Sequence, residues 1–197
     1  MTQYKTISVL LFFWLLSIGL YAQSDTLAFY KQTQKVNNRG MMVLGGWALT
    51  NITIGAFGMK NSTGEDKYFH QMNLLWNTVN VSIASYALIS GLSEDLMAYS
   101  QNELFAKHEG LERILLINAG LDVLYIGAGA WMIKRSQSVT KRQALWKGYG
   151  RSVILQGGFL LVFDLILYGI QHSRKTRFLE NVEIQMGMNS IGLQVTF

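Results

Sequence analysis

Apolar residues in this chain come in long blocks, not at the alternating or 3.6-residue spacing of half-buried elements. After an opening block, four more cover 41–59, 73–92, 114–133 and 152–171. Each is about 20 residues, which at about 1.5 Å per residue crosses a hydrocarbon core of about 30 Å. A lone segment in lipid can satisfy its backbone only as a helix. The pattern therefore predicts an all-α membrane protein, a four-transmembrane-helix bundle that follows a signal peptide.

The signal segment is 1–23. Lys5 gives it a positive start, 7–21 an apolar core, and Ala22-Gln23-Ser24 a small, polar exit. If it is not cut, it is an anchor helix and a fifth span; either way Asp25 is expected on the far side of the inner membrane. Residues 24–172 then form the four-helix transmembrane domain. Its lead-in, 25–39, reads as an amphipathic helix with Leu27 and Tyr30 on one side. Ser93 is positioned to cap a second surface helix, with Glu94 and Asp95 in its first turn and Gly110 at its end. The periplasmic tail, 173–197, switches to period two: Val182, Ile184, Met186 and Met188, then Ile191, Leu193, Val195 and Phe197 around Asn189-Ser190. That pattern predicts a short C-terminal β-hairpin. Two strands are too few for an outer-membrane barrel.

Charge sets the orientation. The loop before the fourth span carries Lys134, Arg135, Lys141, Arg142, Lys147 and Arg151 without an acid, whereas the loop after the second carries Glu94, Asp95, Glu103, Glu109 and Glu112 against Lys107. Positive residues stay in the cytoplasm, so the first loop is inside with Lys60 and Lys67, and both mature termini are periplasmic. Trp76, Trp131 and Trp146 fall at the cytoplasmic ends of their helices, where indole favours the interface. The net charge of +5 thus reports topology and not nucleic-acid binding. The basic loop could also meet anionic lipid head groups, but topology is the more economical reading. With no cysteine there is no disulfide and no thiolate metal site. With no proline, any bend must come from the 19 glycines.

The interior is polar. Asp122 lies nine residues from Arg113 and Asp164 eight from His172, on helices of opposite direction, so both sit about 12–14 Å below the outer surface. Trp47 and Tyr86 reach that level on the first two helices. Asn51, Asn80 and Tyr125 form a deeper layer opposite Gly157 and Gly158. Asn118, Asp122, Tyr125 and Gly129 share one helical stripe, as do Asn73, Asn77, Asn80 and Ala84. The intramembrane polar site is therefore read as Asp122, Asp164, Tyr86, Asn118, Tyr125, Asn51, Asn77 and Asn80. A carboxylate at this depth costs about 2.5–3.5 kcal/mol, and two close together resist joint ionisation. One reading makes the acids a proton or cation relay. The other, ranked first, makes the polar groups hydrogen-bond glue between helices. Gly45, Gly46, Gly55, Gly58, Gly127 and Gly129 are read as sites of close helix approach.

A gapless superposition of 39–60 on 113–134 gives six identities in 22 positions, against roughly two by chance. An internal duplication would relate the two hairpins about an axis along the membrane normal. His70, His108 and His172 lie at edges or in loops, so no facing pair binds haem. His108 and Glu112 have i, i+4 spacing but are read as a surface pair and not a metal site. No phosphate-binding or dinucleotide pattern occurs, and no cofactor or metal is expected.

The run from His70 to Asn80 (His70-Gln71-Met72-Asn73-Leu74-Leu75-Trp76-Asn77-Thr78-Val79-Asn80) carries a resemblance. So does Lys147-Gly148-Tyr149-Gly150-Arg151, continuing to Leu155-Gln156-Gly157-Gly158-Phe159 and Phe163-Asp164. These segments resemble an uncharacterised family of small four-helix bacterial membrane proteins, over roughly 24–172. The resemblance implies a shared bundle, a domain of unknown function and no catalytic residue. The expected function is a non-enzymatic scaffold or accessory subunit of the inner membrane, partnered by the lipid bilayer and by another membrane protein or a second copy. The alternative is a small proton-coupled transporter or channel using Asp122 and Asp164.

Overall fold

The computed structural model describes residues 25–182 with their side chains, and the backbone course of 2–24 and 183–192. Four long helices carry the chain: α1 (Thr2–Asn61), α2 (Gly64–Ser93), α3 (Gln101–Ser136) and α4 (Gln143–Gly192). A single 3-10 turn, Leu96–Ala98, links α2 to α3. The segment 1–23, expected from the sequence to be a signal, lies outside the residues with described side chains. The lead-in helix is continuous with the first predicted span, since nothing in 25–41 breaks the backbone ladder.

Two expectations fail at element ends. Ser93 closes α2, and α3 begins after Ser100, whose side chain accepts from Glu103 N while Glu103 accepts from Ser100 N at 2.8 Å. This reciprocal capping box outcompetes a start at Ser93. Glu94, freed from a capping role, binds Lys107 at 2.7 Å and Gln34 at 3.1 Å. Gly110 does not end the helix either, because burial of His108 and Glu112 on its two sides offsets the roughly 1 kcal/mol that an interior glycine costs. The predicted hairpin is likewise replaced, through its first strand, by the continuation of α4 to Gly192. Propagating an existing helix fixes one residue per hydrogen bond, whereas an isolated two-stranded hairpin is at best marginal. Residues 193–197, the end of the second predicted strand, lie outside the described residues.

α2 packs against α1 and α4, and α3 against α4, with lighter contact to α1; α2 and α3 scarcely touch. The hairpins α1–α2 and α3–α4 are built alike where they cross. A Cβ on Gly55 would lie 2.9 Å from the His70 carbonyl and the Leu74 amide, and one on Gly129 would lie 2.7 Å from the Gly150 carbonyl and 3.1 Å from the Ile154 amide. Gly55 and Gly129 coincide in the sequence superposition, and in both hairpins the contact falls on residues j and j+4 of the second helix. The same register sets buried Ala48 and Ala84 in one hairpin against buried Asp122 and Asp164 in the other. Gly58 is also crowded, by His70, but Gly46 and Gly127 face open space and Gly45 makes only ordinary contact.

The described part of the molecule is inverted relative to a water-soluble domain. Glycine aside, its buried residues are 14 polar or charged and 11 hydrophobic, while 25 large hydrophobic residues are exposed. So much outward apolar surface would be an aggregation liability in water and suits lipid. Three helices, over Asp25–Asn61, Gln101–Ser136 and Gln143–Val182, are long and apolar enough to cross a membrane. α2 falls short by composition, since Asn73, Asn77 and Asn80 make three of the 20 residues of its predicted apolar run carboxamides, and all three are buried.

Candidate functional site

Three polar layers are stacked along the bundle. The first ties α1, α2 and α4 together through carboxamides. Asn73 Nδ2 donates to Asn51 Oδ1 at 2.9 Å and to the Asn51 carbonyl at 3.2 Å. Gln156 Nε2 donates to Asn73 Oδ1, and Trp47 Nε1 donates to Gln156 Oε1 at 3.0 Å. Asn77 Nδ2 returns to the Asn73 carbonyl at 2.8 Å, and Asn80 Nδ2 reaches Asn77 Oδ1 at 3.4 Å. A carboxamide has both donors and acceptors, so a ring of them can saturate itself without water. Trp47 stacks on Phe159 and reaches down to this layer instead of joining the aspartates.

The second layer is the acid pair. Asp122 on α3 and Asp164 on α4 are both buried and line one cavity. Two carboxylates can only accept, so a hydrogen bond between them would need a proton on one. Asp122 Oδ2 is enclosed and has no hydrogen-bond partner among the described residues. Beside the pair lies a cavity of about 330 Å³, lined also by Asn80, Asn118 and Tyr125 and otherwise mainly by aliphatic side chains. It borders the gap between α2 and α3, where Val79, Ile83, Ile114 and Leu121 are exposed. Trp76, expected at the lipid interface, packs edge-on against Tyr125 at 4.8 Å between ring centroids and helps line the cavity.

One predicted member is misplaced. Tyr86 is 75% exposed and points away from the acids. The stripe Asn73, Asn77, Asn80, Ala84 already implied this, because residue 86 lies about 200° around the helix from residue 84. Gln156 and Gln171, both fully buried, were not among the predicted residues. Their signal was spacing: eight residues before and seven after Asp164 lie near the same face.

The third layer sits where α1, α3 and α4 extend past the predicted spans. His108 and Glu112, read from sequence as a surface pair, are buried, because 25–39 and the α4 extension close over them. Thr33 Oγ1 and His108 Nδ1 are 2.9 Å apart, and Gln171 Nε2 donates to the Thr33 carbonyl at 3.0 Å. Glu112 receives Lys175, and His172 Nδ1 lies 3.2 Å from it. Phe29 stacks on Phe178 at 4.6 Å between ring centroids and packs at a tilt against the His108 ring at 4.8 Å, which covers the layer from the side. Burial pushes the His108 imidazole down from its ordinary value, against the opposing pull of Glu112. Burial also opposes ionisation of Glu112, but Lys175 and the two histidines outweigh it and hold the carboxyl below the usual range. No group of three or more potential metal ligands occurs among the described residues.

At the opposite end, Glu65 and Asp66 hold the start of α4. Lys147 lies 2.7 Å from Glu65, and Arg151 lies 3.0 Å from both acids. The backbone of Gly148 runs so close to Glu65 and Phe69 that a Cβ there would collide with main-chain atoms. Two of the six basic residues of the predicted cytoplasmic loop are thus engaged in helix pairing.

These features define an all-helical bundle with a polar interior, an apolar exterior and helices of membrane-crossing length. Residues 43–165 match a family of unknown function, DUF6992, and the chain belongs to that family. No curated protein and no solved structure matches.

Proposed function

We propose that this is a non-enzymatic scaffold or accessory subunit of the bacterial inner membrane, crossing it four times with both mature termini in the periplasm. The carboxamide layer supports this reading most directly. Asn51, Asn73, Asn77, Asn80, Gln156 and Trp47 use their hydrogen-bonding capacity on one another, which fixes helix register and leaves nothing there for a substrate. α2 serves as the fourth span because its polar residues face this layer while Leu75, Val79, Ile83 and Ile89 face outward. Lys134, Arg135, Lys141 and Arg142 support the orientation. A scaffold acts through another membrane protein or a second copy of itself, with the bilayer as solvent.

The cavity beside the acid pair favours a second reading, a small proton-coupled transporter or channel using Asp122 and Asp164. Against it stands the carboxamide layer, whose Asn80 lines that cavity while its other members are bonded to one another. Purified protein reconstituted in vesicles with an internal pH-sensitive dye separates the two. The scaffold reading expects no flux above protein-free vesicles under an imposed pH gradient. Flux that Asp164→Asn abolishes would overturn it.

A further inference from the structure

A second groove lies on the outer face of the bundle, between α1 and α4, with a volume of about 560 Å³. Leu167, Phe163 and Gly40 form its floor; a side chain at residue 40 would begin to fill it, since a Cβ there lies 2.9 Å from Leu167 Cδ2. Its walls are Val43, Val162, Ile166 and Ile170, all exposed. One end carries Arg39 and Arg174. α1 and α4 run in opposite directions, so the residue that precedes the first span and the one that follows the fourth meet at the same level.

Neither arginine has a described hydrogen-bond or ion-pair partner, and Arg174 Nε is enclosed with nothing to donate to. Two acids at that end are engaged elsewhere, Glu112 with Lys175 and His172 and Glu94 with Lys107, and Asp25, which lines a neighbouring cavity with Arg174, makes no ion pair with it among the described residues. From Arg174 to Phe159 the groove follows α4 for about 22 Å, somewhat more than one leaflet of a hydrocarbon core about 30 Å thick. Two unpaired guanidinium groups at the interface above an apolar track one leaflet long have the charge and shape complementary to an anionic amphiphile. Arginine's fork matches phosphate oxygens in pairs.

We propose that this groove binds one anionic phospholipid, its phosphate between Arg39 and Arg174 and one acyl chain along Val43, Val162, Ile166 and Ile170. The site needs only the membrane-spanning part of the proposed function and is indifferent to whether Asp122 and Asp164 move protons. Native mass spectrometry of the full chain in dodecyl maltoside, titrated with dioleoyl phosphatidylglycerol or dioleoyl phosphatidylcholine, tests it. One phosphatidylglycerol should be retained about 10- to 30-fold more tightly than phosphatidylcholine, the scale of two arginines at a lipid surface. Arg39→Gln with Arg174→Gln should remove the preference, and Val162→Trp should weaken retention of both lipids. Millimolar inorganic phosphate should not compete. Equal retention of the two lipids by the wild type, or competition by phosphate, would overturn the proposal. So would a preference that survives the double arginine substitution, since it would then belong to Lys141 and Arg142 at the other end. Should the double variant fail to fold, unchanged lipid retention in Val162→Trp is enough to reject the groove.

Discussion

Asn73 and Asn77 are one helical turn apart on α2, both fully enclosed, and alanine at either leaves a hole of the same chemical size. Their bonds differ. Asn77 donates within its own helix, to the Asn73 carbonyl. Asn73 joins three helices, donating to Asn51 on α1 and accepting from Gln156 on α4. Asn73→Ala therefore strands the Gln156 N–H and Asn51 Oδ1, whereas Asn77→Ala strands only the weak donor of Asn80. Interhelical side-chain bonds in membranes average about 0.6 kcal/mol and reach about 1.7, and an enclosed polar group left unpaired costs about 1–3 kcal/mol. Asn73→Ala should thus destabilise the bundle by about 1–3 kcal/mol more than Asn77→Ala. The assay is reversible unfolding in mixed dodecyl maltoside and dodecyl sulfate micelles, followed by far-ultraviolet circular dichroism. A double-mutant cycle of Asn73→Ala with Gln156→Ala should return a coupling of about 1 kcal/mol. Equal losses for the two asparagines, within about 0.5 kcal/mol, would refute the idea that the layer holds the helices in register.

Tyr86→Ala should change stability by no more than about 0.5 kcal/mol in the same assay, because its ring faces outward. Gly129→Ala should cost about 1–3 kcal/mol, since its methyl group would meet the Gly150 carbonyl at 2.7 Å, while Gly127→Ala, in open space, should be neutral or stabilising by up to about 1 kcal/mol. The His108 layer should lose stability on acidification. His108 is held low by burial, so its contribution is complete above about pH 6.5, the ordinary value, and is lost as pH falls toward the lowered one. Glu112 is held low too, and its share persists above about pH 4.3 and disappears as pH falls through the folded value. Melting midpoints recorded from pH 7.5 to 5 should fall, and His108→Gln, with Glu112, His172 and Lys175 left facing it, should flatten that slope. A flat wild-type profile would contradict the assignment.

Periodicity alone carried the polar stripes of α2 and α3. Asn73, Asn77, Asn80 and Ala84 on α2, and Asn118, Asp122, Tyr125 and Gly129 on α3, all lie inward or along the cavity, because helical spacing is a property of one chain segment. The shared depth of Asp122 and Asp164 was legible for the same reason, being a count of residues along helices of known rise. What no linear pattern contains is which faces meet. Gln156 closes the carboxamide ring only because α4 lies against α2, and His108 is buried only because residues 25–39 and the α4 extension pack over it. The open cavity follows from the near absence of contact between α2 and α3. Burial and pairing between helices depend on their packing in three dimensions, and a residue's neighbours within its own segment say nothing of that.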